Sequence, residues 1–251
     1  MTKTQLKIKS LEKIYPNGIE ALRSIDLEVN YGDFINLIGL SGSGKSTLLR
    51  CINRLIEPTS GKIYWYEKEV NFFDNEKIRN YRKQIGMIFQ QFNLIKNLSV
   101  LYNVLLGYLG YMKTIPSLFI KFDRKLVEIA LEKLEMVGLS RYKDEKVRNL
   151  SGGQQQRVGI ARALMQNPKM ILADEPVASL DPVTTSIIFN YLRKINEEQN
   201  ITIITSLHHL EFIKEFSTRV VALNAGNKIF DGRSENINKH LFKEIYKSYE
   251  D

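Results

Sequence analysis

Phe34-Ile-Asn-Leu-Ile-Gly-Leu-Ser-Gly-Ser-Gly-Lys-Ser-Thr47 is the stretch whose reading decides the fold. Phe34 to Ile38 is a short, mostly apolar run that reads as a buried strand, and Leu48, Leu49, Ile52 and Leu55 recur at helical spacing behind the glycines. Between them the chain fits G-x-x-x-x-G-K-[ST], the phosphate-binding loop, in the strand–loop–helix order that the loop requires. Gly39, Gly42 and Gly44 let the backbone curl so that successive N–H groups face inward and stabilise phosphate charge, with Ser41 and Ser43 part of the same nest. The following helix adds its positive N-terminal end. Lys45 is expected to reach the β- and γ-phosphate oxygens as a point charge, Ser46 to coordinate Mg²⁺, and Thr47 to hold another phosphate oxygen.

Phosphoryl transfer also needs an acidic residue at the end of a neighbouring strand. Met170-Ile-Leu-Ala-Asp-Glu175 supplies two: four apolar residues form a buried strand whose end presents Asp174 to the Mg²⁺ shell. Glu175, one residue on, is expected to act as general base, polarising the attacking water and accepting its proton. In an isolated chain Asp-Glu-Pro would be a solvated turn; the phosphate loop makes it a site.

The third string is Leu150-Ser-Gly-Gly-Gln-Gln-Gln-Arg157, continuing Val-Gly-Ile-Ala-Arg-Ala-Leu164. Ser151 reads as the N-cap of an amphipathic helix, and a hydroxyl with unshielded N–H groups opening a helix binds an anion. This string resembles the signature motif of ATP-binding cassettes, and after a phosphate loop it identifies the chain as similar to the nucleotide-binding subunits of ABC transporters. That resemblance implies an α/β P-loop NTPase cassette with a RecA-like core, an antiparallel β subdomain and an inserted α-helical subdomain. It also implies a head-to-tail dimer, in which Ser151, Gly152 and Gly153 of one copy close over the ATP held by the phosphate loop of the other.

Other roles follow from the same resemblance. Tyr15 resembles the aromatic on which adenine stacks. Gln90 resembles the glutamine that touches Mg²⁺ and attacking water, with Gln91 as the neighbouring alternative. Asp181, in Ala178-Ser-Leu-Asp181, resembles the residue that links the two sites across the dimer, although Ser-Leu-Asp-Pro also reads as a helix start with Asp181 as cap. His208 resembles the switch histidine that contacts the γ-phosphate. The chain reads Ser206-Leu-His-His209 where most relatives have Thr-His-Asp, so the adjacent His209 leaves a one-residue ambiguity; His240 reads as a surface residue.

Along the chain, Leu6–Leu11, Ile25–Val29, Lys62–Tyr66, Ile85–Phe89 and Ile201–Thr205 read as further strands. Val220–Leu223 and Lys228–Phe230 read as a terminal hairpin across Asn-Ala-Gly-Asn. From about residue 91 to 149 the pattern turns helical: Leu126, Ile129, Ala130, Leu134 and Val137 share one face, and Gly138 stops that helix. Ile187, Ile188, Tyr191, Leu192 and Ile195 mark another helix. The expected organisation is a single domain over 1–251, with an αβ core from 1–90 and 150–251 and a helical subdomain from about 91–149.

Composition narrows the function class. The 251 residues are 43% hydrophobic, ordinary for a globular domain, and the one cysteine, Cys51, excludes a disulfide framework or a cysteine-rich zinc site. No apolar signal segment follows Met1, and the longest apolar stretch, Val100 to Met112, is interrupted by Asn103, Gly107 and Gly110 and is too short for a bilayer span. Transport would therefore use separate membrane subunits, with this chain peripheral on the cytoplasmic face. The net charge of +8 fits nucleic acid, an anionic membrane surface or ATP. It is dispersed, and Arg79 to Lys83 and Lys143 to Arg148 read as solvated faces, so no nucleic-acid partner is expected. A nucleic-acid ATPase of the same superfamily would separate loop and signature by a long coiled coil, and a translation-type cassette would carry two units.

The cargo is read from resemblance alone. Asn103-Val-Leu-Leu-Gly-Tyr-Leu-Gly-Tyr111, Pro116-Ser-Leu118, Glu175-Pro-Val-Ala-Ser-Leu-Asp-Pro182 and the Leu207-His208 switch resemble the ATP-binding subunit of phosphonate importers. The expected cofactors are ATP and Mg²⁺, and the expected partners are a second copy, permease subunits and, indirectly, a solute-binding protein. Alternative cargoes are another small oxyanion, thiamine diphosphate, or methionine or another amino acid.

Overall fold

A computed structural model describes residues 3–70, 74–112, 122–178, 180–207 and 210–246. Pro116 to Leu118, Ser179, His208 and His209 lie outside the described residues.

Alternating burial along the first two strands, β1 (Thr4–Ile14) and β2 (Glu20–Asn30), marks a sheet with one wet face. They pair antiparallel, and β1 also pairs with β4 (Ser60–Trp65), which carries the two-residue β5 (Lys68–Glu69) at its edge. The second sheet is different. Its strands β3 (Phe34–Ile38), β6 (Ile85–Ile88), β7 (Met170–Ala173) and β8 (Thr202–Ser206) are buried at every position, as expected of parallel strands covered on both faces. β9 (Arg219–Asn224) joins them in parallel and β10 (Asn227–Arg233) returns antiparallel, giving the order β10-β9-β3-β8-β7-β6. The β9–β10 turn uses Ala225 and Gly226, both at positive φ, the geometry of a tight hairpin turn.

Side chains alternate across this parallel sheet into two cores. Ile35, Leu37, Met87, Leu172 and Ile204 face the antiparallel sheet and α1 (Lys45–Ile52), whose Leu48, Leu49, Cys51 and Ile52 fill the space between the two sheets. Phe34, Ile38, Ile88, Ile171 and Ile203 face the helices on the other side. Each such side chain, once fully buried, contributes about 1.5–3 kcal/mol, so the sheet is held firmly from both faces.

The helical layer contains α3 (Val100–Leu105), which runs on into a 3-10 segment over Leu106–Tyr111, then α4 (Arg124–Met136), α5 (Gly152–Leu164) and α6 (Pro182–Gln199). α4 buries Ala130 and Leu134 and ends at Val137, followed by Gly138 at φ +66°, as the periodicity predicts. On α6 the buried face differs from the expected one. Ile187 is exposed, and Phe189 instead lies in the core against Phe34 and Phe216. Two helices have no counterpart in the sequence reading, α2 (Asn75–Arg82) and α8 (Lys239–Ile245), whereas α7 (Leu210–Phe216) begins directly after His209, which reads as a helix-start residue. Among the described residues no helix is long and apolar enough to cross a membrane.

The register fixes where chemistry can occur. Leu37 pairs with Ser206, Ala173 with Thr205, and Ile88 with Ala173, so β3, β8, β7 and β6 all end along one edge of the sheet. The residues that follow them, Gly39, Leu207, Asp174 and Gln90, emerge at the carboxyl ends of parallel strands, where open α/β sheets bind ligands.

Candidate active site

Leaving β3, the chain turns at Gly39, at φ +140°, where a Cβ would stand 2.1 Å from the carbonyl oxygen of Leu223. Gly44 is similarly constrained, at φ +107° with a would-be Cβ 2.4 Å from the carbonyl oxygen of Ala21. Only glycine fits either place. The amide of Gly226 in the β9–β10 turn donates to Ser43 O at 3.2 Å, tying the loop to the terminal hairpin. α1 then starts at Lys45, with no side chain capping its first turn. Its leading N–H groups and the curled loop form a donor set suited to phosphate oxygens.

Lys45 is 4% exposed and folds back over this loop. Its Nζ donates to Gly39 O and Leu40 O, both at 2.8 Å, and reaches Ser43 Oγ at 3.4 Å. Burial pushes its ammonium below the ordinary lysine value, and the nearby Glu175 and Asp174 carboxylates oppose that shift.

Asp174 follows β7, its amide donating to Ile88 O, and is 2% exposed. Ser46 Oγ donates to Asp174 Oδ1 at 2.6 Å, so the two expected Mg²⁺ ligands, one from α1 and one from β7, stand side by side. The second carboxylate oxygen pairs with Arg50 Nη2 at 3.2 Å. Arg50 was not singled out in the sequence, yet it stands four residues after Ser46 on α1 and so on the same helical face, a signal that was there to read. The two hard oxygens of Ser46 and Asp174 match what Mg²⁺ accepts.

Glu175 adopts φ +44°, a left-handed conformation that a non-glycine residue holds only when its surroundings impose it. One imposing contact is the hydrogen bond from Glu175 N to Ser206 Oγ at 2.7 Å, made across the end of β8. Gln90 Nε2 donates to Glu175 Oε2 at 3.1 Å, so the glutamine after β6 orients the carboxylate after β7. Ser206 is a second contributor that the sequence reading did not mark, since a serine ending a strand carries no signal of its own.

Tyr15 is brought from the end of β1 to the far side of the loop, where its hydroxyl shares a 3.2 Å hydrogen bond with Thr47 Oγ1 and its ring lies 5.4 Å from Lys13 Nζ. His240 is exposed on α8 and faces Glu244, as expected of a surface residue.

The signature residues stand apart from this cluster. Ser151 caps α5 through a capping box: its Oγ accepts from Gln154 N, and Gln154 Oε1 accepts from Ser151 N at 2.9 Å. A Cβ on Gly153 would lie 2.4 Å from Thr184 Cγ2, and one on Gly152 3.3 Å from Leu180 Cδ2. The paired glycines therefore let α5 start against α6. Asp181 caps α6, accepting from Thr184 N at 2.9 Å and Thr184 Oγ1 at 2.6 Å, which holds its carboxyl below the ordinary value. No hydrogen bond among the described residues joins 151–153 to 39–47.

Comparison with known proteins agrees with this geometry. Residues 22–178 match the family described as ABC transporter. Over 243 residues the chain is 52% identical to the phosphonates import ATP-binding protein PhnC of Bdellovibrio bacteriovorus, an overlap of 96% of this chain and 93% of that protein. It is 43% identical over 242 residues to a protein of the same description from Treponema denticola, covering 96% and 94%. Its structure matches the dimeric post-hydrolysis state of the ATP-binding cassette MJ0796 bound to ADP and Pi with a TM-score of 0.81 at 37% identity, covering 92% of this chain and 100% of that one. The chain belongs to the ABC transporter family and has the P-loop α/β fold of that family's ATP-binding cassettes.

Proposed function

We propose that the chain is the ATP-hydrolysing subunit of an import complex that takes up phosphonate, working as a head-to-tail pair beneath separate permease subunits at the cytoplasmic face of the membrane. The observation that carries the catalytic half of this reading is the meeting of Ser46, Asp174, Gln90 and Glu175 beside an uncapped α1 N-terminus, within direct hydrogen-bond distances. Phosphonate as cargo is supported by the relatives' descriptions at up to 52% identity.

The loop amides and Lys45 bind the phosphates, with Ser41, Gly42, Ser43, Gly44 and Thr47 lining the same turn. To do so Lys45 exchanges Gly39 O and Leu40 O for phosphate oxygens. Ser46 and Asp174, with Gln90, would hold Mg²⁺, which neutralises charge developing on the transferred phosphoryl group. Glu175 accepts the proton of the attacking water, and Gln90 orients it. Tyr15 stacks on the adenine, His208 contacts the γ-phosphate, and Ser151, Gly152 and Gly153 of the second copy cover the nucleotide, with Asp181 linking the two sites. ATP thus favours the closed pair, and loss of phosphate releases it.

The helical segment of about 91–149 forms one wall of a groove lined by Arg79, Arg82, Lys83, Leu106, Tyr111 and Arg162, near Gln90. Its cations meet backbone carbonyls, a neutral amide and an aromatic ring: Arg79 donates to Gly110 O, Arg82 to Asn53 O, Arg162 to Phe92 O, and Lys83 to Asn80 Oδ1 while lying 5.1 Å from the Tyr111 ring centre. This supports docking of a permease segment that carries acidic side chains. Two experiments test the proposal. Glu175→Gln should bind ATP and accumulate as a dimer with turnover lowered about 10²- to 10⁴-fold, the worth of a general base; a monomeric variant with unchanged turnover would refute the catalytic assignment. Disrupting the gene should abolish growth on a phosphonate as sole phosphorus source while leaving growth on phosphate intact, and unimpaired growth on phosphonate would overturn the cargo.

A further inference from the structure

The first residue of the phosphate loop is held by a side chain from the other end of the chain. α8 is anchored by Ile237 and Ile245, both buried, and starts at Asn238, whose side chain accepts from Leu241 N at 2.8 Å. Tyr246 follows its last turn, its amide donating to Phe242 O and its ring 4.5 Å from that of Phe242. This packing aims the phenol at the end of β3, where its oxygen accepts a hydrogen bond from Gly39 N at 3.4 Å.

We propose that Tyr246 is a positioning residue for nucleotide binding, holding the Gly39 amide so that the phosphate loop keeps its binding shape when Lys45 leaves it. Gly39 is gripped from two sides. Its carbonyl accepts from Lys45 and its amide donates to Tyr246, while Leu223 O leaves no room for a side chain beside it. The first grip is temporary under the reaction proposed above, because the ammonium must turn to the phosphates. Tyr246 then remains as the acceptor for a buried N–H that would otherwise be unpaired, and an unpaired buried amide drives the backbone to rotate towards water. Burial pushes the phenol above the ordinary tyrosine value, against the opposing pull of the Gly39 hydrogen bond and with the Glu175 carboxylate adding to the rise, so it stays neutral at physiological pH. A neutral hydroxyl accepts from Gly39 without placing a second negative charge beside the phosphates. A Tyr at this position therefore does what Phe cannot, although Phe would fill the same volume against Phe242.

This inference rests on the ATP-binding reading, and the test separates the two. ATP affinity is measured by calorimetry on the wild-type chain and on Tyr246→Phe, with steady-state kcat and KM and a thermal melt for each. Tyr246→Phe is expected to weaken ATP binding and raise KM roughly three- to tenfold, the worth of one hydrogen bond, with kcat and melting temperature near wild type. Tyr246→Ala should lose the same affinity and also melt earlier, through lost packing. If Tyr246→Phe binds ATP as tightly as the wild type, Tyr246 is only packing and the inference fails; the same holds if kcat falls while affinity is unchanged. A wild-type chain that binds no ATP would instead overturn the ATPase reading itself.

Discussion

Replacing Gly153 with alanine separates its packing against Thr184 from the nucleotide contact proposed for it. The new Cβ would stand 2.4 Å from Thr184 Cγ2, whereas carbon atoms rest at about 3.5–4.0 Å, so the threonine methyl must retreat by more than an ångström. It cannot do so by rotating freely, because Thr184 Oγ1 is bound to Asp181 Oδ2 at 2.6 Å and turning χ1 breaks that bond. Overpacking of this kind costs about 1–3 kcal/mol, and the helix propensity gained from Gly to Ala returns up to about 1 kcal/mol. The net loss of roughly 1–2 kcal/mol should lower the melting temperature by about 2–8 °C for a domain of this size. Thr184→Ser deletes the obstructing methyl and keeps the hydroxyl on Asp181, so the double variant should melt like the wild type. ATP turnover should remain low in that double variant, because a Cβ still obstructs the place where the partner copy's nucleotide is to be covered. A Gly153→Ala protein as stable as the wild type, or one that Thr184→Ser does not rescue, would refute the packing account; restored turnover in the double variant would refute the nucleotide contact.

Two further perturbations probe the loop and its helix. Lys45→Ala removes the ammonium that folds over the loop onto Gly39 O and Leu40 O, and loss of a charged hydrogen bond worth about 1.5–3 kcal/mol should weaken ATP binding some ten- to a hundredfold by calorimetry; undiminished affinity would count against its phosphate role. Cys51 is buried on α1 and burial pushes its thiol up to about 11, so at pH 8 the thiolate is scarce and a disulfide reagent should label it slowly in the native protein and fully after denaturation. Rapid native labelling would show that α1 opens readily.

The fold was legible wherever burial is two-sided. Met170–Ala173 and Ile85–Ile88 announce themselves as runs with no charged or hydrogen-bonding side chain, and Phe34–Ile38 is interrupted only by Asn36, which is buried and donates to Ser217 Oγ, because parallel strands covered on both faces have little place for polar side chains. Asn75–Arg82 was illegible for the opposite reason. α2 buries only Tyr81 among its eight residues, so there is no apolar stripe to detect, and its main local support is Asp74 accepting from Glu76 N and Lys77 N. On α6 the error was of phase. Ile187 and Phe189 are both apolar, and periodicity cannot say which faces in; the stacking of Phe189 between Phe34 and Phe216, residues distant in sequence, decides it. α7 and α8, each seven residues long, are too short to show periodicity and are held by their few buried anchors.

The site was legible to the extent that its groups are named by motif, but the motif does not show which partners each group takes within the chain. In this structure the charged groups of the site are satisfied from within the chain: Lys45 by loop carbonyls, Asp174 by Ser46 and Arg50, and Glu175 by Gln90. Tyr15 likewise rests on Thr47. Buried polar groups left unpaired would be costly, and a site of this depth is stabilised by such partners within the chain. Binding is then an exchange of partners. That exchange limits how much affinity each contact can add, because the bond gained to the nucleotide is offset by the internal bond given up. It also favours residues that need not exchange, Gly39 with its fixed amide and Ser206 behind Glu175, as the parts that keep the loop and the base in register while their neighbours change partners. The motif names Gly39 for its backbone freedom but not for the acceptor of its amide, and a serine ending a strand carries no signal at all; the parts that Tyr246 and Ser206 play arise only from what the three-dimensional fold sets against Gly39 and Glu175.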